Sequence, residues 1–171
     1  MISSINELKT RLLTSGVVTN EYGFRGCKVS EIENIEAKYG TLPYVYKQIL
    51  LLAGHRSGTL ISKSEFEFYI DEVLQLNERV LQDREEGIID GENPISLPKN
   101  AFFILSRYNN QPNFILANGE EDSLVYVYDY EDENNETIKE FYKSIWEWIE
   151  DLVKDAEHWV KVRRNREHLN Y

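Results

Sequence analysis

Ile5, Leu8 and Leu12 recur at helical spacing behind Ser3 and Ser4, which predicts an amphipathic helix stopped near Gly16. Ser30 and Glu33 form a capping-box pattern ahead of a second apolar face, Ile32, Ile35 and Tyr39, that Gly40 should end. Pro43 suits the first turn of a third helix, carried by Val45, Ile49, Leu50 and Leu52 as far as Gly54. Ser64 and Glu67 repeat the capping pattern. They open a longer helical stretch through Tyr69, Val73, Leu76, Val80 and Leu81 to Gly87, although its Phe-rich start suits a strand equally well.

Beyond Pro94 and Pro98 the period shortens. Phe102–Leu105, Phe114–Leu116 and Val125–Tyr130 are β-prone runs divided by the turn residues Asn109 to Pro112 and Asn118-Gly119, the pattern of an antiparallel meander. Alternation in the last run places Tyr126 and Tyr128 on one face, with one face expected against the core and the other against solvent. Ser144 with Glu147 then caps a long last helix whose stripe is Ile145, Trp148, Ile149, Leu152, Val153, Ala156 and Trp159, and the basic tail after Val162 is expected to fray. The order predicts an α+β fold, a mostly antiparallel sheet with N-terminal helices and a long C-terminal helix gathered on one side. Its expected divisions are a helical appendage over 1–23, a main domain over 24–162 and a basic tail over 163–171.

The chain has 171 residues, 42% of them apolar, enough for a buried core. With 19 Lys and Arg against 30 Asp and Glu, the net charge is −11, which disfavours binding to nucleic acid phosphates. One cysteine, Cys27, leaves no internal disulfide, and Met1 to Gly16 lacks the basic start and apolar run of a secretion signal, so a cytoplasmic protein is expected. No stretch approaches the ~20 apolar residues of a membrane span.

The charge is unevenly spread. Residues 120–136 hold eight acids and no Lys or Arg: Glu120, Glu121, Asp122, Asp129, Glu131, Asp132, Glu133 and Glu136. Two readings of this segment stay open. It is a solvated edge hairpin whose acids discourage aggregation, or a docking surface for a basic protein with Tyr126, Tyr128 and Tyr130 as aromatic anchors. Calcium fits poorly, because Asn134 stands where an EF-hand loop needs glycine. His55, His158 and His168 lack metal-ligand spacing, Gly54 to Gly58 lacks a phosphate-loop ending, and no companion motif marks Cys27 as a nucleophile, although the following helix could lower its pKa. The expectation is therefore no catalytic residue, no metal and no cofactor.

Gly26, Ser30-Glu31-Ile32, Ile35-Glu36, Tyr39-Gly40, Leu42-Pro43, Tyr46-Lys47, Leu50-Leu51 and Gly54 together resemble the opening motif of the SUKH superfamily, the SMI/KNR-type fold. Phe103-Ile104-Leu105, Phe114-Ile115-Leu116 with Gly119, Val125 to Tyr128, and Ser144-Ile145 with Trp148-Ile149 resemble its strands and closing helix in the same order. The resemblance implies a non-catalytic bacterial immunity protein that binds and neutralises a cognate toxin, often a nuclease. The same fold also serves as an intracellular scaffold or regulator with an endogenous partner. On the toxin reading the expected docking residues are Glu120, Glu121, Asp122, Tyr126, Tyr128, Asp129, Tyr130, Glu131, Asp132 and Glu133, since an acidic plug would imitate the field of a nuclease substrate.

Overall fold

The structure, a computed structural model, describes residues 1–62, 65–108, 110–129 and 136–169. α1 (Ile5–Ser15) starts on Ser4, whose hydroxyl accepts the Glu7 N–H, and stops on Gly16 in the left-handed region at φ +79°. A short turn leads to β1 (Phe24–Arg25), then α2 (Val29–Tyr39) and α3 (Tyr44–Ala53). β2 (Arg56–Ser57) pairs antiparallel with β1.

α2 begins earlier than the Ser30–Glu33 pattern predicts. The Glu31 carboxylate accepts the Lys28 N–H at 2.6 Å and the Lys28 carbonyl accepts the Glu31 N–H at 3.1 Å, so the helix is capped at Lys28 and Ser30 lies inside it. The Ser64 start fails too, with Ser64 itself lying outside the described residues. Phe66–Glu67 is a strand, β3, and α4 (Ile70–Ile89) starts where Glu72 accepts the Phe68 and Tyr69 N–H groups. Gly87 lies buried within α4 instead of ending it.

β4 (Ala101–Arg107), β5 (Asn110–Leu116), β6 (Val125–Asp129) and β7 (Thr137–Tyr142) complete a five-stranded antiparallel sheet in the order β3-β4-β5-β6-β7. α5 (Ile145–Leu169) closes the chain, starting on Ser144 as expected, with its hydroxyl accepting the Glu147 N–H at 3.0 Å. The helix continues past Val162 instead of fraying there, and the Arg164 guanidinium reaches the Ser15 carbonyl at 3.5 Å.

Both faces of the sheet are covered, which corrects the expectation of helices on one side. Phe102, Ile104, Ile115 and Val125 pack on one face with α1, α2, α3 and α5, around the fully buried Trp148. Phe103, Phe114 and Tyr128 pack on the other with Leu76 and Val80 of α4. Residues 1–23, expected as an appendage, contribute Ile2, Leu8, Leu12, Val17 and Val18 to the first cluster. No helix among the described residues is long and apolar enough to cross a membrane.

α1 is also clamped to α5 by charge. Arg11 Nε and Nη2 each donate to a different carboxylate oxygen of Glu157 at 2.8 Å, and Glu150 accepts the Ile2 N–H at 2.5 Å. The Arg11 hydrogen bonds hold Glu157 below the usual carboxylate range, and the Ile2 N–H does the same for Glu150. A carboxylate depressed in this way stabilises the fold above its unfolded pKa, and the gain is lost as pH falls through the folded value. Glu157→Gln should therefore cost about 1–2 kcal/mol at neutral pH and progressively less below roughly pH 4. Urea unfolding midpoints of both forms across that range check it.

Candidate functional site

The β5–β6 loop is fixed by its backbone. Pro43 precedes α3 without a capping side chain, and the Glu120 and Glu121 carbonyls accept the Tyr44 and Val45 N–H groups in its place, each at 3.0 Å. Gly119 takes φ +78° and donates its N–H to the Thr41 carbonyl, which completes the turn. With their main chain held in this way, the Glu120 and Glu121 side chains remain exposed and make no salt bridge among the described residues.

Register across the sheet brings one aromatic row to the surface. Phe103 faces Phe114, Phe114 faces Tyr126, and Tyr126 faces Glu140, so all four side chains share the α4 side. Phe103 and Phe114 meet edge to face at 5.5 Å between centroids, and Tyr126 stacks on Phe114 at 5.1 Å with 15° between the planes. The row begins in the core and ends at Tyr126, half-buried, beside the exposed Glu140. The Tyr126 phenol is shifted upward, first by burial and then by the Glu140 and Glu120 carboxylates. Two acids without an ion-pair partner among the described residues thus lie near one pre-stacked ring.

Glu140 was not among the expected docking residues. Its signal lay in strand pairing, because β7 reads as polar in sequence and only its register with β6 sets Glu140 opposite Tyr126.

Other expected docking residues take structural roles. Tyr128 is 2% exposed, on the same side as Tyr126 but under α4, so it cannot act as a surface anchor. Its hydroxyl donates to Glu136 at 2.8 Å and accepts from Arg84 at 2.7 Å, while Glu136 also accepts the Ile95 N–H at 2.6 Å. Burial, ahead of the Glu136 hydrogen bond, pushes the Tyr128 phenol up to about 12. Asp122 accepts the Ser123 and Ile145 N–H groups, both at 2.8 Å, which ties the loop to the start of α5. Asp129 lies 3.6 Å from Lys139. Tyr130, Glu131, Asp132 and Glu133 lie outside the described residues. Among the described residues, the patch drawn from charge alone keeps Glu120, Glu121 and Tyr126 at the surface, with Glu140 beside them.

A second concave surface runs between α5 and the β3, β4, β5 and β7 side of the sheet. It is a groove of about 750 Å³ lined in part by Phe66, Arg107, Tyr108, Phe141, Asp151 and Lys154. Tyr108 and Phe141 are exposed, and positive and negative side chains alternate along it, so it offers no single charge to a ligand.

His55 and Cys27, weighed separately in the sequence, come together beside Glu31. One ligand atom from each lies within 4.8 Å of the others. Burial, ahead of the Glu31 and Asp71 carboxylates, pushes the Cys27 thiol up to about 12, contrary to the lowering expected from the α2 dipole. A protonated thiol at neutral pH is a poor nucleophile.

Residues 26–151 match the SMI1 / KNR4 family (SUKH-1). The chain belongs to that family. The match runs from Gly26, where an added Cβ would collide with the Leu51 carbonyl, through the whole five-stranded sheet to the second turn of α5. No curated protein and no solved structure matches the chain significantly.

Proposed function

We propose that this SUKH-1 protein is an immunity protein that binds a basic toxin, a nuclease being the expected class, and inactivates it by occlusion without chemistry of its own. The observation that carries this reading is the aromatic row that surfaces at Tyr126 between Glu120 and Glu140. A ring already stacked on Phe114 loses little conformational freedom on binding, which is what an interface anchor requires. Within a net charge of −11, Glu120, Glu121 and Glu140 add a local negative field that would steer a cationic partner towards it.

The test is protection from any toxin found encoded beside this chain's gene, together with the binding kinetics of the purified pair. Tyr126→Ala should weaken binding by about 2 kcal/mol or more, mainly through faster dissociation. Glu120→Lys with Glu140→Lys should slow association, most strongly at low salt. Full protection by a variant that combines all three substitutions, or an association rate independent of salt, would rule this surface out. An endogenous partner held through Tyr126, with no toxin neutralised, would favour the regulator reading.

A further inference from the structure

The Cys27, Glu31 and His55 cluster takes no part in the proposed docking surface and is assembled from separate segments. Cys27 follows β1, Glu31 lies in the first turn of α2, and His55 sits between α3 and β2. Gly54 makes the approach possible, since a Cβ there would strike the Cys27 sulfur. The His55 side chain is only 8% exposed. Its Nε2 lies 3.1 Å from Glu31 Oε1, while its buried Nδ1 has no hydrogen-bond partner among the described residues. Asp71 Oδ2 lies 3.6 Å from Nδ1, beyond hydrogen-bond length.

Glu31 divides its two oxygens. Oε2 accepts the Lys28 N–H, and Oε1 is left facing the imidazole. One sulfur, one imidazole nitrogen and one carboxylate oxygen are a mixed set that suits a tetrahedral ion of intermediate softness and not calcium or magnesium, which take oxygen. In such a site neighbouring ligand atoms stand about 3.3–3.8 Å apart, so the present spread needs only a small contraction. Glu31 and Asp71 are 38% and 75% exposed in their side chains and open the cluster to solvent on one side.

We propose that Cys27 Sγ, His55 Nε2 and Glu31 Oε1 bind one zinc ion, with Asp71 as a positioning residue that accepts the His55 Nδ1–H. Binding forms a sulfur–zinc bond and breaks the S–H bond, with the proton released to solvent, so no oxidant or reductant is involved. An Nδ1–H held by a carboxylate fixes the tautomer that leaves Nε2 free for the metal, the usual outer partner of a metal-bound histidine. The ion would join the start of α2 to the α3–β2 junction.

The experiment uses the full chain, stripped by a chelator and titrated with zinc alone, then with cobalt(II) as a spectroscopic substitute. One zinc per chain is expected, with Kd below about 1 μM and close to one proton released per ion at neutral pH. Cobalt should give a thiolate charge-transfer band that C27A lacks. E31Q keeps an oxygen for the Lys28 N–H and so tests the site without disturbing the helix cap. It should bind zinc about 10–100-fold more weakly, and D71N about 10-fold more weakly, with both remaining folded by circular dichroism. Failure to bind stoichiometric zinc, or unchanged affinity in E31Q and C27A, would overturn the proposal and leave the cluster as an ion-pair staple around His55.

Discussion

Trp148→Ala is expected to lower the stability of the fold by about 3–5 kcal/mol, the largest loss from any single substitution proposed here. Trp148 is 0% exposed at the start of α5, stacked on Phe68 at 5.9 Å and tilted against Tyr46 at 6.4 Å. Its indole therefore touches the α3 and pre-α4 layers at once, and truncation opens a void that three separate elements would have to collapse to fill. Because the total stability of a domain this size is about 5–15 kcal/mol, a loss on that scale should reduce the melting temperature by roughly 8–15 °C. Trp148→Phe keeps a ring against Phe68 and should cost less than half as much. Chemical denaturation of the three proteins settles the ranking; equal midpoints for Ala and wild type would mean that α5 does not hold the core together through this side chain.

Asn77→Ala should cost about 2–4 kcal/mol despite removing almost no apolar contact. β3 covers only the Ser106 and Arg107 end of β4 and leaves the edge at Phe103 without a strand partner. Asn77, 2% exposed on α4, supplies one. Its amide donates to the Phe103 carbonyl at 2.8 Å and its oxygen accepts the Phe103 N–H at 2.9 Å, with a further bond to the Val73 carbonyl at 2.8 Å. A helix side chain thus imitates the backbone of a missing strand, and alanine would strand a buried donor and acceptor together. Asn77→Asp discriminates further. Burial would raise the folded pKa of the new acid, so its penalty should be greatest at neutral pH and shrink as pH falls through that value. A pH-independent penalty would argue that water reaches this edge.

The helices and the central strands are legible in the sequence because each carries its own periodicity. Leu8 and Leu12 behind Ser4, or Trp148 and Ile149 behind Ser144, need no knowledge of the rest of the chain. The start of α4 is different: the Glu72 cap, which has no Ser or Thr, competes with the apparent Ser64–Glu67 capping box, and what decides is tertiary, the pairing of Phe66 with Arg107. β7 is missed for a related reason. Thr137, Lys139 and Glu140 are edge-strand chemistry with little apolar alternation, and the strand exists because β6 offers it a ladder.

The proposed docking surface is only half legible. Counting charges locates the acidic segment but cannot say which acid is spent on a hydrogen bond. Asp122 and Glu136 read like Glu120 in sequence, yet the first binds the start of α5 and the second binds Tyr128 and Ile95. Tyr126 and Tyr128 also read alike, two apart on one face, until α4 covers the second and leaves the first at the surface.

The clamp of α1 onto α5 bears on how this protein can be trimmed. Leu8, Leu12, Val153, Ala156 and Val160 interlock outside the family-matched segment 26–151. A fragment cut to those boundaries would carry a raw apolar flank where α1 and the rest of α5 had lain. It should therefore aggregate or fold only in part, so deletion work on this protein has to keep both ends to report on the proposed docking surface alone.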